Sequence, residues 1–173
     1  TAAASIFARV FPSMIKNGFD NSAVEGISDM NYEIPNIKVD WVRLETPVPV
    51  GFWRSVGHSA NAFSVEGFLD ELAHAAGKDP LRFRLDMLGK DARSRRLLEV
   101  VAEKAGWGSP LPSGRGRGIA RHTSFGSAVA PVAAASLARS DGTITVHRIV
   151  CAADCGPVIN MDTAKAQLEG ASL

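Results

Sequence analysis

The sequence predicts an α+β fold in which a helical middle segment covers a mixed β-sheet, and three observations carry that expectation. Apolar residues recur at helical spacing from Ala62 to Ala76 and again on two shorter stretches ending at Ala105. The run Ser109-Pro110-Leu111-Pro112-Ser113-Gly114 breaks this pattern, and the residues after it read as extended. Asp141-Gly142 is a hairpin turn signal and leads into the β-rich run Thr143 to Val150. Residues 1–108 therefore form a helix-rich half and residues 109–173 a β-hairpin half that leads into a last helix.

Taken in order, Ala2 to Lys16 places Ile6, Val10 and Met14, with Phe7, Phe11 and Ile15, on adjoining helical faces, and Asn17-Gly18 supplies the stop. Pro12 lies inside this stretch, so the helix either kinks there or ends at Phe11. Asp20 to Asn36 reads as loop with one short strand around Met30 to Ile34. Ile37, Val39, Trp41, Val42 and Leu44 predict a half-buried strand. Two prolines in Thr46-Pro47-Val48-Pro49-Val50 rule out a central strand and make a stiff lead-in to Gly51.

After Gly57, Ser59 or Asn61 caps a helix carrying Ala62, Phe63, Val65, Phe68, Leu69, Leu72, Ala73 and Ala76, and Gly77 ends it. Glu66, Asp70, Glu71 and His74 fall on its polar side. A second helix starts with Asp79 as N-cap and Pro80 at its first position, and carries Phe83, Leu85, Met87 and Leu88. A third runs from about Ser94 to Ala105, with Leu97, Leu98, Val100 and Val101 inward and Gly106-Trp107-Gly108 closing it. Ile119 to Phe125 and Ala128 to Ala138 are β-like. Alternation after Asp141-Gly142 puts Ile144, Val146, Arg148 and Val150 on one strand face and Thr145, His147 and Ile149 on the other. Neither set is wholly polar, so both faces are expected to be covered. Cys151 to Asn160 reads as a turn and Met161 to Gly170 as a helix with Asp162 in its first turn.

A chain of 173 residues, 46% hydrophobic and 21% charged, is long enough for one core or two small ones. A formal net charge of +1 gives no electrostatic argument for nucleic acid or an anionic membrane, and no nucleic-acid partner is expected. No apolar run reaches the ~18 residues of a membrane span, and no charged-then-apolar leader is present. The compartment is not indicated. Because the chain starts at Thr1 and stops at Leu173 within an unfinished apolar pattern, a fragment of a larger protein is expected.

The stretch Gly51 to Asn61 has the means to hold an anion or a cofactor. Gly51 and Gly57 permit close backbone approach, Arg54 is a bidentate donor, and the following helix points its positive end at the loop. The same features describe a helix-entry turn stapled by Phe52 and Trp53. Arg115 and Arg117, set between glycines, read as a solvated linker with a lesser possibility of phosphate binding. If their stretch is a strand, Cys151 and Cys155 lie too far apart for a disulfide, and they are expected to be free, buried thiols. With His147 and Asp154 they match no zinc spacing. Glu71 and His74 read as a solvated pair. No metal ligand and no catalytic residue is assigned.

Two stretches taken together carry a family resemblance. Pro49-Val50-Gly51-Phe52-Trp53-Arg54-Ser55-Val56-Gly57-His58-Ser59, with Asn61-Ala62-Phe63, Glu66 and Asp70-Glu71-Leu72-Ala73, is the first. The second comprises Gly116-Arg117-Gly118-Ile119-Ala120, Ser124-Phe125-Gly126, Val146-His147-Arg148, Cys151-Ala152-Ala153-Asp154-Cys155-Gly156, Asn160 and Ala166-Gln167-Leu168-Glu169-Gly170. In these motifs the chain resembles large subunits of the isoquinoline 1-oxidoreductase type, in the aldehyde oxidase/xanthine dehydrogenase family of molybdenum hydroxylases.

The resemblance implies part of a subunit that holds molybdopterin with molybdenum, in its cytosine dinucleotide form. Such an enzyme hydroxylates a small aldehyde or an N-heterocycle with oxygen from water. Its electrons leave through a small subunit with two [2Fe-2S] clusters, often toward a cytochrome. Gly51, Trp53, Arg54, Ser55 and Gly57 match the arginine loop beside the metal centre, and Gln167 with Gly170 matches the element whose glutamine contacts the pterin. The family's general-base glutamate lies in a later segment with a Gly-Glu motif, which this chain does not reach. Alone, the 173 residues are expected to be inactive, to lack the cofactor, and to self-associate through faces meant for other segments. The alternative is a non-catalytic scaffold or oligomer-interface domain in which the Arg54 loop is structural.

Overall fold

A computed structural model describes residues 15–16, 19–42, 44, 47–49, 51 and 53–172. The chain divides into two compact units, Thr1–Met30 with Ile34–Val65, and Asn31–Glu33 with Glu66–Leu173. The expected α+β class holds: helices are combined with a four-stranded sheet.

In the first unit, strands β1 (Ile15–Lys16) and β2 (Phe19–Asp20) pair antiparallel. The end of the expected first helix is therefore a strand, and an Asn-Gly pair is as much a hairpin signal as a helix stop. Residues 2–14 of that helix, Pro12 included, lie outside the described residues. A 3-10 turn at Asn21–Ala23 follows, with Ser22 and Val24 buried. The strand expected from Ile37 to Leu44 does not form over residues 37–42, and Val42 is 73% exposed. The short strand expected around Met30 to Ile34 is also absent. Strand preference of β-branched residues is realised only against a ladder partner, and no described strand pairs with either segment.

Helix α1 (Gly57–Ala75) is the long helix the periodicity predicts, and Gly77, at φ 64, ends it in the left-handed conformation. Its buried side differs from the expected one. Leu69 and Ala73 are inward, but so is Glu66, while Phe63 is 83% exposed and Phe68 also faces out. Helix α2 (Pro80–Met87) has the expected cap, the Asp79 carboxylate accepting from the Arg82 amide at 2.9 Å. Helix α3 (Ala92–Ala105) is capped by Asp91 and stopped by Gly106 at φ 66, and it buries Leu97, Leu98 and Val101 as expected, together with Ala105, whereas Val100 is only half-buried.

Beyond Pro112 come β3 (Arg115–Ile119), β4 (His122–Ser124), β5 (Ser127–Leu137) and β6 (Ile144–Asp154). Among the described residues every pairing is antiparallel, so the sheet is not mixed. Arg115 and Arg117 belong to a strand rather than a linker. Strands β3 and β4 lie end to end along one edge of β5, and β6 runs along the other. Pro131 sits mid-strand without cost to the ladder. Its carbonyl accepts from Ala120, so its missing donor falls on the same side, opposite the break between β3 and β4.

Ala128, Ala130, Val132 and Ile119 are buried on the face that α3 covers, where Arg148 donates to the Lys104 carbonyl at 3.2 Å. The other face departs from simple alternation. Ala134 pairs with Arg148 but Ala135 with Val146, leaving His147 as a bulge. Ile144 and Val146 thereby move to the same face as Ile149 and Cys151, away from Val150. That face is not covered as expected: Leu137, Ile144, Val146 and Ile149 are exposed. The strand also continues through Asp154, four residues into the expected turn.

A buried ionic cluster ties the second unit together at the strand break. Arg84 is 0% exposed. Its Nε donates to Glu66 Oε2 at 2.8 Å, one terminal nitrogen to Asp70 at 2.6 Å and the other to the Glu66 carbonyl at 2.9 Å. Glu66 Oε2 also accepts from the Arg121 amide at 2.9 Å, and Oε1 from the Tyr32 hydroxyl at 2.8 Å. Burial works against the Arg84 charge, but Glu66 and Asp70 outweigh it and raise its pKa. Burial and the Glu66 charge hold the Tyr32 phenol far above its ordinary value, so it remains a donor. The Arg121 guanidinium donates to Asn31 and Thr123 and lies 5.5 Å above the Tyr32 ring.

Three outcomes are expected. Arg84→Ala should lower the unfolding free energy by about 3–5 kcal/mol, because it leaves the buried Glu66 charge without its partner, and Glu66→Ala should cost less because Asp70 still pairs with Arg84, both measured by denaturant titration. Burial pushes the Asp91 carboxyl up, but its bonds to Ser94 and the nearby Arg121 charge outweigh this and lower its pKa. Its stabilising effect is complete above the unfolded value of about 3.9 and is lost as pH falls through the lower folded value. Asp91→Asn should thus keep most of the cap at neutral pH and flatten the acid limb of the Tm profile. The exposed face of Leu137, Ile144, Val146 and Ile149 should make the isolated 173-residue chain self-associate, with Ile144→Lys shifting it toward monomer in light scattering.

Candidate functional site

The arginine loop belongs to the first unit. Gly57 opens α1, and its lack of a side chain is a steric requirement, since a Cβ there would lie 2.1 Å from the Ser22 carbonyl oxygen. Asn61 fastens the same helical turn by donating Nδ2 to the carbonyls of Ala23, at 3.0 Å, and Glu25, at 2.8 Å. His58 is buried beside them in sequence. Neither Ser59 nor Asn61 caps the helix, because it starts earlier than the spacing suggests.

Between Trp53 and this anchored turn the backbone reverses. Ser55 has φ 72 and Val56 φ 49, both left-handed, a region that a β-branched residue rarely enters. Val56 donates its amide to the Trp53 carbonyl and His58 to the Ser55 carbonyl, each at 3.0 Å, and Ser59 Oγ donates to the Arg54 carbonyl at 2.6 Å. Trp53 is 78% exposed and Arg54 is exposed, so neither staples the turn to a core. Phe52 lies outside the described residues. A Cβ on Gly51 would meet nothing, so sterics do not demand glycine there.

Gln167 and Gly170 belong to the second unit, on helix α4 (Met161–Gly170). Asn160 caps this helix through the Thr163 amide at 2.9 Å. No residue of α4 is buried, and the Gln167 side chain is exposed. One side of α4 and the outer face of β6 enclose a cleft of about 270 Å³ lined by Ile149, Cys151, Lys165, Leu168, Glu169 and Ser172. Both cysteines are free thiols as expected, but Cys151 is only half-buried and Cys155 is exposed. Burial raises the Cys151 pKa. Asp154, by contrast, is held below its ordinary value by Arg93, whose Nε lies 2.8 Å from its carboxylate. Arg93 also donates to the Gly126 carbonyl, bracing the turn after β4.

Among the described residues no group of three or more His, Cys, Asp or Glu side chains could hold a metal ion. Glu71 and His74 are exposed on α1. The residues that sequence reasoning missed are Arg84 and Glu66. A signal was available for both: Glu66 shares its helical phase with Leu69 and Ala73, and Arg84 shares its own with Pro80 and Leu88.

No protein-family model matches the chain. It is 32% identical over 174 residues, 98% of its length, to the beta subunit of isoquinoline 1-oxidoreductase from Brevundimonas diminuta. It is 32% identical, over 90% of its length, to the membrane-bound aldehyde dehydrogenase (pyrroloquinoline-quinone) of Gluconacetobacter polyoxogenes. A nicotinate dehydrogenase subunit of Pseudomonas putida matches 72% of the chain at 34% identity. The chain spans 22%, 23% and 12% of the lengths of these three relatives. With these relatives aligned along most of its length, the chain belongs to the aldehyde oxidase/xanthine dehydrogenase family of molybdenum hydroxylases, alongside large subunits of the isoquinoline 1-oxidoreductase type.

Proposed function

We propose that this chain forms part of the cofactor-holding subunit of an oxidoreductase that hydroxylates an aldehyde or an N-heterocycle with oxygen from water. The observation that carries the reading is the Arg54 turn: an exposed arginine just ahead of a 19-residue helix whose first turn is fastened by Gly57 and Asn61. The names of the relatives support the substrate class, since they refer to isoquinoline, an aldehyde and nicotinate.

Each unit, taken by itself, carries donors suited to a phosphorylated pterin cofactor such as molybdopterin in its cytosine dinucleotide form. Arg54 and the positive end of α1 suit the anionic part, with Gly51, Trp53 and Ser55 forming the adjoining backbone wall. Gln167 offers both a donor and an acceptor to the edge of a pterin, and Gly170 leaves open space beside it. When bound, a molybdenum–pterin group supplies the redox centre for oxygen transfer to carbon, and the protein contributes position and electrostatics. Arg54 binds and orients, and no proton-transfer step is assigned to any residue of this chain. A small [2Fe-2S] subunit, and a cytochrome beyond it, are the electron-accepting partners of this reading.

One relative is named for pyrroloquinoline quinone, which is also an anion, so the test must distinguish the two groups. The full-length protein should carry molybdenum and pterin by elemental analysis and fluorescence, and should oxidise aldehydes or N-heterocycles. Residues 1–173 alone should be inactive. Arg54→Ala in the full-length protein should reduce retained molybdenum and pterin at least about tenfold, as expected on loss of a charge-assisted contact. Quinone in place of molybdenum, or full retention by Arg54→Ala, would refute the assignment.

A further inference from the structure

Ser59 makes an unusual bond for an exposed helical serine. Ser64 bonds the Ala60 carbonyl and Ser172 the Leu168 carbonyl, each four residues back along the chain. Ser59 instead reaches back five residues, across the turn, and donates to the Arg54 carbonyl at 2.6 Å. That bond spans the two left-handed residues Ser55 and Val56. Left-handed backbone at a valine is unfavourable and persists only where its surroundings impose it. On one side of the turn the helix is immobilised, by Gly57 against Ser22 and by the two Asn61 bonds. Ser59 couples this immobilised helix to the carbonyl of the arginine itself.

We propose that Ser59 is a positioning residue for Arg54, its hydroxyl fixing the backbone from which the arginine is offered to the anionic part of the cofactor. The inference rests on the reading of the Arg54 turn as a cofactor wall. Loss of the hydroxyl strands no buried group, because the bond is exposed at both ends. Alanine is also a better helix former than serine, so the fold has no reason to weaken. The turn, however, loses the restraint that opposes relaxation of Ser55 and Val56, and the backbone that carries Arg54 then shifts relative to the ligand. Threonine retains the hydroxyl and should retain the restraint.

The test uses the full-length protein with Ser59→Ala, Ser59→Thr and Arg54→Ala. Two quantities are read for each: the rate at which pterin leaves the purified protein, followed by fluorescence of the released pterin, and the Tm of the cofactor-free form. Ser59→Ala should release pterin about three- to tenfold faster than the parent, the range expected for one hydrogen bond, with its cofactor-free Tm unchanged. Ser59→Thr should stay within about twofold of the parent. Faster release from Arg54→Ala with no change in Ser59→Ala overturns the positioning role and leaves the Arg54 reading standing. No change in Arg54→Ala overturns both. A fall in cofactor-free Tm for Ser59→Ala, unrelieved in Ser59→Thr, assigns Ser59 a purely structural role and also overturns the proposal.

Discussion

The second unit is organised around one carboxylate. Glu66 fills the break between β3 and β4, where the Arg121 amide has no strand partner, and satisfies that amide, the Tyr32 hydroxyl and the Arg84 guanidinium together. Four separate parts of the chain converge on it: the strap at Asn31–Glu33, α1, α2 and the sheet edge. A pair with side-chain exposures of 0% and 8% pays heavily in lost hydration, and only its full set of hydrogen bonds makes it tolerable. Apolar packing between α3 and the sheet supplies the bulk of the burial around Leu98, Val101, Ala130 and Val132. Apolar packing alone, however, does not specify where β3 must end and β4 begin, whereas the Glu66 carboxylate does.

Much of this was legible in the sequence, because local chemistry decided it. Asp79-Pro80 and Gly106 set helix ends through capping and left-handed geometry that need no tertiary partner. Other features depended on distant residues. The run Ile37 to Val42 has strand composition but finds no ladder, and composition cannot report a missing neighbour. Glu66 and Asp70 look like a solvated helix face until Arg84 arrives from the next helix. Simple alternation along β6 takes no account of a bulge, and one unpaired residue at His147 reassigns the faces of Ile144 and Val146.

The sequence marks the candidate turn by its composition and says nothing of its backbone geometry. Its glycines do different jobs: Gly57 is demanded by the Ser22 backbone, whereas Gly51 stands in open space. The sequence marks both as permissive, and only coordinates separate a packing constraint from a free position. The turn's unusual feature, left-handed backbone at Ser55 and Val56, carries no sequence signal because neither residue type favours it. The family resemblance came from the order of several weak motifs along the chain, and sheet geometry bears on none of them directly.

The His147 bulge has a further effect on the free side of β6, which among the described residues pairs only with β5. An edge strand of 11 residues would ordinarily offer a regular row of amides and carbonyls to any extended peptide. With an extra residue at His147 that row is out of step partway along, so an incoming strand could match the part before the bulge or the part after it, but not both without an irregularity of its own. The molecule thus exposes apolar side chains on a sheet face while offering its edge as a template only in part, which favours face packing over strand addition along the full edge.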